Sequence, residues 1–302
     1  MNMLLKSIFV MVYMMGVNAA FMYSAYQLIV GGITASWSGV LLATMPGAVF
    51  FNYVTMTKSM ARTTRNMNTI TALTVIGAVI AVISWSGQQQ GQQQDQQLQM
   101  MLGLGGLIGW LLYDFWYSRY GERDTSMLQV GMKLPEFSLV NISGAAVSSS
   151  YFKGKPTVFL FYRGNWCPLC MAQIKEIARE YSNLARLGAQ IVLVSPQPHQ
   201  HTQKLADKYD VPFTYMIDEG NKAAEKLNII SRNGLPVGMQ AMGYDSDTVM
   251  PTVVITDTDG IILFADLTDN YRVRPEPTTF TRVLEAYLSG RTSINNALTE
   301  KS

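Results

Sequence analysis

Charge disappears from long stretches of the first third of the chain. No Asp, Glu, Lys or Arg occurs from residue 7 to 57, from 66 to 94, or from 96 to 113. A membrane-crossing helix needs about 20 predominantly apolar residues, so the first run is long enough for two crossings. Gly31-Gly32 stands near its middle, where a helical hairpin would turn. The pattern predicts four spans at about 8–30, 37–56, 70–85 and 98–116, with Asp114 close to the end of the last. A cleaved signal peptide fits the first run poorly. Its basic lead is Lys6 alone, the apolar stretch exceeds the usual length of about 7–15 residues, and more apolar runs follow.

Basic residues assign the predicted spans an orientation. The segment between spans two and three holds Lys58, Arg62 and Arg65; the segment after span four holds Arg119 and Arg123; Lys6 precedes span one. The other two connections carry no Lys or Arg, and the Gln-rich one, 87–97, has Asp95 as its one charge and reads as a flexible solvated loop. The positive-inside rule then places both termini and the C-terminal half in the cytoplasm, as expected of an integral protein of a bacterial inner membrane. The spans contain no Cys and no His, so a thiol cascade or a bis-His haem within the bundle is excluded. Their small residues (Gly16, Ala19, Ala20, Gly39, Gly103, Gly105, Gly106, Gly109) suit close helix packing in an anchor.

After Arg119 the pattern changes to alternating strands and helices. Segments 136–140 and 157–162 read as strands, the second apolar throughout and so central. Residues 168–187 place Ile174, Ile177, Ala178, Tyr181, Leu184 and Leu187 at helical spacing, with Gly188 as terminator. Strands at 190–195 and 213–217, helices at 201–209 and 221–227, a hairpin of 252–256 with 261–265, and a last helix at 277–288 complete the reading. The fold class is therefore an all-α four-helix transmembrane region, residues 1–118, followed by an α/β domain, 127–290, and a tail, 291–302.

Composition narrows the chemistry. The 302 residues are 48% hydrophobic and 15% charged, against about 25% charged in typical soluble chains. A net charge of +2 with no basic stripe gives no sign of nucleic-acid binding. The two cysteines, Cys167 and Cys170, form one Cys-Pro-Leu-Cys unit between the strand at 157–162 and the helix beginning at Pro168, which excludes a structural disulfide framework. A helix N-terminus offers free N–H groups and about half a positive charge, both of which favour thiolate over thiol. Pro168 suits the first helical turn, where its missing N–H is not needed, and Arg163 adds positive charge if it points inward. Zinc held by both cysteines with His199 and His201 is the competing use, but no second Cys pair exists and the strand-to-helix position is the redox one. No metal and no bound cofactor is expected. Asp218 with Asn221 reads as a helix cap.

The stretch from Val130 to about Leu288 resembles the thioredoxin superfamily, and within it the peroxiredoxin-like branch of the AhpC/TSA (redoxin) family. The residues carrying the resemblance are Val130-Gly131-Met132-Lys133-Leu134-Pro135-Glu136-Phe137, the Arg-Gly-x-Trp-Cys-Pro-x-Cys unit at 163–170, Met250-Pro251-Thr252, and the segment from Asp269 to Pro275. It implies a thioredoxin-like fold with Pro251 cis and facing the cysteines, Arg274 or Arg272 stabilising a thiolate, and Trp166 shielding the site. It also implies two readings of the sulfurs. In the thioredoxin alignment Cys167 attacks and Cys170 resolves. In the peroxiredoxin alignment Cys170 is peroxidatic, Cys167 takes the place of the family's Thr, and Arg163 that of its Pro. Proximity to the helix start favours Cys167.

The functional expectation is a membrane-anchored thiol-disulfide oxidoreductase or peroxiredoxin-like antioxidant enzyme. Its substrate would be a hydroperoxide or a protein disulfide, its reductant a thioredoxin- or glutathione-type thiol, and its other partner the lipid membrane. A non-enzymatic membrane redox sensor or assembly factor is the alternative, because four spans exceed what tethering needs.

Overall fold

Helix α1 runs from Met3 to Val30 and helix α2 from Ala35 to Thr57. Thr34 starts α2, its Oγ1 accepting from the Trp37 N–H at 3.3 Å. Lys58, in the left-handed region at φ 47°, ends it. Helix α3 spans Asn68–Ser86, and α4 spans Gln93–Leu112 before a π-helical turn at Tyr113–Tyr117. A computed structural model describes residues 3–86 and 93–290. The Gln-rich stretch is thus helical from Gln93 onward, which corrects the loop expectation there. Residues 87–92 and the tail 291–302 lie outside the described residues.

Among the described residues, three helices are long and apolar enough to cross a membrane: Met3–Val30, Ala35–Thr57 and Gln96–Tyr117. The third of the expected spans is an apolar helix of shorter length, Asn68–Ser84. Close packing within this unit rests on particular glycines. A Cβ on Gly39 would stand 2.6 Å from the Ala81 nitrogen, one on Gly77 2.3 Å from the Ala43 nitrogen, and one on Gly109 2.2 Å from the Tyr13 ring. At Gly39 and Gly77 backbone meets backbone this closely, the kind of approach that small residues permit between apolar helices. Gly16 and Gly105 face open space instead, so they are not part of the contact the sequence assigns them. Asp114 has a structural reason to sit at the end of this bundle. It is fully buried and accepts the Met67 N–H at 3.1 Å, satisfying a free donor where α3 begins.

The chain divides into two compact units, the first being Leu5–Lys58 with Thr63–Arg119, the second built on the segment from Tyr120 and including Ser59–Arg62. The second unit is an α/β sandwich. Its strands are β1 (Ser138–Asn141), β2 (Ala146–Ser148), β3 (Thr157–Phe161), β4 (Gln190–Ser195), β5 (Thr214–Ile217), β6 (Ile230–Ser231), β7 (Thr248–Val249), β8 (Thr252–Thr256) and β9 (Ile262–Asp266). Its helices are α5 (Pro168–Arg179), α6 (Tyr181–Arg186), α7 (His199–Ala206), α8 (Lys222–Lys226) and α9 (Pro277–Leu288). Seven strands form one sheet in the order β2-β1-β5-β4-β3-β8-β9, and β6 pairs with β7 apart from it. The centre, β3-β4-β5, is parallel, and the flanking pairs are antiparallel. All five residues of β3 are buried, as its apolar run requires. Phe159, Phe161, Val192, Val194, Met216 and Val254 join one core.

The long helix expected over 168–187 breaks at Glu180, whose ψ of 2° leaves the helical range, giving α5 and α6. Gly188, at φ 72°, closes the second piece. The strand expected at 136–140 appears as β1, shifted to Ser138–Asn141, whereas its partner β2 and the pair β6–β7 escaped the sequence pattern because they are only three or two residues long.

Candidate active site

The register of β3 and β8 determines where the motif emerges. Phe161 pairs with Thr252, so the chain leaving β3 toward the cysteines starts beside Pro251. Gly164 then turns at φ 137°, a region that disfavours side chains, and a Cβ there would meet the Trp166 ring at 2.9 Å. The Cys167 N–H closes the turn on the Gly164 carbonyl at 3.1 Å. Two polar side chains brace the loop. Gln197 accepts the Asn165 N–H at 2.9 Å and donates to the Tyr162 hydroxyl at 2.9 Å, and Asn165 Nδ2 donates to the His201 carbonyl at 2.7 Å.

Cys167 is the N-cap of α5, with extended backbone, and Pro168 occupies the first turn. The Cys167 sulfur accepts the Cys170 N–H at 3.3 Å, so one sulfur sits where a capping oxygen usually does. Cys167 is 2% exposed and Cys170 is fully buried; both are free thiols. Arg274 spans the pair. Its Nη1 lies 3.4 Å and its Nη2 3.5 Å from Cys170 Sγ, and Nη2 lies 3.8 Å from Cys167 Sγ. Gln173 Oε1 takes the remaining direction of Nη1 at 3.0 Å, and the Tyr271 carbonyl accepts from Nε at 3.0 Å. The guanidinium is held on three sides, with its charge directed at sulfur.

Burial pushes both thiols up, and the partners then divide them. Cys167 ends above its ordinary range, because burial, its hydrogen bond to Cys170 and the neighbouring negative charge outweigh Arg274 and Arg163. For Cys170, burial opposes ionisation, but the Cys167 hydrogen bond, the Arg274 charge and a backbone hydrogen bond from Arg163 bring it below the ordinary thiol range. The pair thus titrates as one coupled unit that shares a proton, with Arg274 favouring the negative charge on Cys170. The two sulfurs in turn raise the pKa of Arg274 despite its burial.

Arg163 is buried, donates through Nη2 to the Gly234 carbonyl at 2.5 Å, and lies 4.5 Å above the Trp166 ring and 5.7 Å from that of Tyr271. Trp166 is thus half-buried and packed by a cation beside the motif. Pro251 is buried and its carbonyl accepts from Arg123 at 3.4 Å. No peptide bond among the described residues is cis, so the expected cis geometry at Pro251 is corrected to trans, the default for most X-Pro bonds. Its missing N–H leaves no gap, because it stands just before β8. Of the two arginines offered by the sequence, Arg274 reaches the sulfurs, while Arg272 is fully buried with its N–H on Asn270 Oδ1 at 3.0 Å. His201 stacks on Tyr244, with centroids 4.6 Å apart, and His199 faces the Ile142 carbonyl. Asp218 accepts the N–H groups of Ala223 and Ala224, each at 2.8 Å, and so starts α8.

Gln173 and Tyr120 belong to this neighbourhood and were missed by sequence reasoning. Gln173 carried a signal: a lone amide beside Ile174 and Ile177 on the apolar face of α5, one turn after Cys170. Tyr120 lies in the connector after α4, where no periodicity marks it.

Part of this unit is similar to known proteins. The model of the AhpC/TSA family matches residues 130–265. Chloroplastic peroxiredoxin Q of Sedum lineare is 36% identical over 101 residues, 33% of this chain and 54% of that protein. Peroxiredoxin Bcp of Bacillus subtilis (strain 168) is 28% identical over 125 residues, 41% of this chain and 78% of the relative. Among solved structures, peroxidoxin BcpB from Mycobacterium tuberculosis is 18% identical, with a TM-score of 0.43, over 55% of this chain and 99% of that one. The chain spans about half the length of the peroxiredoxin Q relatives it matches. The matched segment, with its sulfurs at the mouth of α5, is a peroxiredoxin-like domain of the AhpC/TSA family in the thioredoxin superfamily.

Proposed function

We propose that this protein is a membrane-anchored thiol peroxidase in which Cys170 attacks a hydroperoxide and Cys167 resolves the product as a Cys167–Cys170 disulfide. The observation that carries the reading is Arg274, whose guanidinium lies 3.4 Å and 3.5 Å from Cys170 Sγ and 3.8 Å from Cys167 Sγ. A fixed cation there stabilises the thiolate, the reactive form, on Cys170. This assigns attack to the second cysteine, against the preference that proximity to the helix start suggests, because the arginine outweighs the position along the helix.

Burial favours hydroperoxide over protein disulfide. Cys170 is fully buried and Cys167 only 2% exposed, so a macromolecular disulfide would have to open the site, whereas a peroxide is a few atoms long. The thiolate lone pair attacks the terminal peroxide oxygen; the S–O bond forms, the O–O bond breaks, and the sulfur becomes a sulfenic acid. Cys167 then attacks Cys170 Sγ and releases water. A thioredoxin- or glutathione-type thiol returns two electrons. Stopped-flow mixing of the reduced full chain with hydrogen peroxide tests this. Oxidation far faster than that of a free thiol is expected, and a rate equal to a free thiol's refutes the peroxidase reading.

The anchor is read as four crossing helices, α3 being the short member, with the AhpC/TSA domain in the cytoplasm. Lys58, Arg62 and Arg65 on one connection and Arg119 and Arg123 after α4 support that orientation. A reporter that is active only outside the cytoplasm, fused after Ser302, should stay silent; activity would reverse the topology.

A further inference from the structure

The Tyr120 hydroxyl is sealed from solvent, although the residue as a whole is half-buried, and it has no hydrogen-bond partner. Buried hydroxyls are almost always bonded, so an unsatisfied one asks for an explanation. Its backbone is fixed on the segment that carries the thiolate-stabilising arginine. The Tyr120 N–H donates to the Asp269 carbonyl at 2.5 Å, and five residues further Arg274 reaches the sulfurs. Burial pushes the hydroxyl up to about 12, and the charges it senses are those of Arg163, Arg274, Arg123 and Cys167. The group is therefore a protonated donor, sealed from solvent, on a backbone tied to the 269–274 segment that carries Arg274, and it has no acceptor of its own.

We propose that Tyr120 is a further catalytic residue of the peroxidase chemistry, its hydroxyl hydrogen-bonding the hydroperoxide and delivering a proton to the oxygen that leaves. The proposal rests on the peroxidase reading. When the Cys170 thiolate takes the terminal oxygen, the second oxygen departs as an alkoxide, or as hydroxide from hydrogen peroxide. That anion is strongly basic and needs a proton as it forms. The Tyr120 proton moves onto it, yielding an alcohol or water, and the tyrosinate left behind regains a proton from a water molecule that enters as the product leaves. The buried hydroxyl without a partner becomes a satisfied one only when peroxide is bound, which concentrates its stabilisation on the reacting state.

Tyr120→Phe in the full chain separates the possibilities, with iodoacetamide as a second probe. Alkylation needs the same thiolate, but iodide leaves without a proton. The variant is expected to lose about a hundredfold in the rate of oxidation by hydrogen peroxide while its alkylation rate stays at the wild-type value. The near-isosteric change removes an unsatisfied polar group, so the melting temperature should hold or rise. Wild-type oxidation in the variant overturns the proposal. So does a parallel loss of oxidation and alkylation, which would place Tyr120 on the thiolate rather than on the peroxide. Slow oxidation of the unmodified protein would instead defeat the peroxidase reading itself.

Discussion

Arg274 Nη1 stands 3.4 Å from Cys170 Sγ and 3.0 Å from Gln173 Oε1, so one nitrogen couples a thiol to the amide one turn along the same helix. The amide holds the guanidinium plane, and that plane lies closer to the Cys170 sulfur than to the Cys167 sulfur. An opposite charge at this range moves a pKa by about 1–3 units. Arg274→Met should therefore raise the pKa of Cys170 toward the unperturbed thiol value of about 8.5. At neutral pH the thiolate fraction, and with it the rate of alkylation, should drop about tenfold or more. Thiolate absorbance followed against pH checks this; an unmoved titration would remove Arg274 from the site's electrostatics.

The same electrostatics predicts how stability depends on pH. Cys170 titrates below, and Cys167 above, the value both share when unfolded. Between the folded pKa of Cys170 and about 8.5, the unfolded chain binds one more proton than the folded chain, so stability rises with pH. Above about 8.5 the unfolded chain has lost both protons while Cys167 keeps its own, and stability falls. The reduced protein should thus be most stable near pH 8.5 relative to a Cys167→Ser, Cys170→Ser double variant. Unfolding midpoints of the two, compared from pH 5 to 10, measure the difference; a flat difference would contradict the shared proton.

The cysteine motif could be read from the chain because its setting is local. An apolar strand, a turn, Pro168 and an amphipathic helix follow one another without interruption, and together they place Cys167 at a helix mouth. The position of Arg274 beside the sulfurs was not legible, since it lies more than a hundred residues away and reaches the site through tertiary packing. Arg272 and Arg274 look alike in sequence, and only the course of the 269–275 segment distinguishes them. The apolar helices were legible for the opposite reason, because runs without charge are visible in composition alone. Their glycine contacts were legible in part: Gly39 and Gly109 have close partners, whereas Gly16 and Gly105 have none within 4 Å, and which side of a helix faces a neighbour is not a property of composition.

Gly164 offers a test of the turn that feeds the site. Its φ of 137° and the 2.9 Å approach of a Cβ to the Trp166 ring act together. Gly164→Ala should lower stability by about 1–3 kcal/mol and loosen the loop that Gln197 and Asn165 brace. Hydrogen exchange of the 163–170 amides is expected to quicken in the variant. Unchanged exchange and stability would mean that the turn relaxes at no cost.

Gly77 tests the packing of the N-terminal helical unit. A Cβ there would lie 2.3 Å from the Ala43 nitrogen and 2.7 Å from the Gly39 carbonyl oxygen, and both obstacles are backbone. No rotamer change can relieve such a contact, so α2 and α3 would have to separate along their length. Overpacking of this kind costs about 1–3 kcal/mol, and occasionally more. Gly77→Leu should accordingly lower the midpoint of detergent-induced unfolding, while Gly105→Leu, facing open space, should leave it nearly unchanged. The comparison matters more than either value. Both changes add the same side chain to an apolar helix and alter its hydropathy alike, so only the close approach of α2 and α3 distinguishes them. Equal midpoints for the two variants would show that these helices do not meet at Gly39 and Gly77.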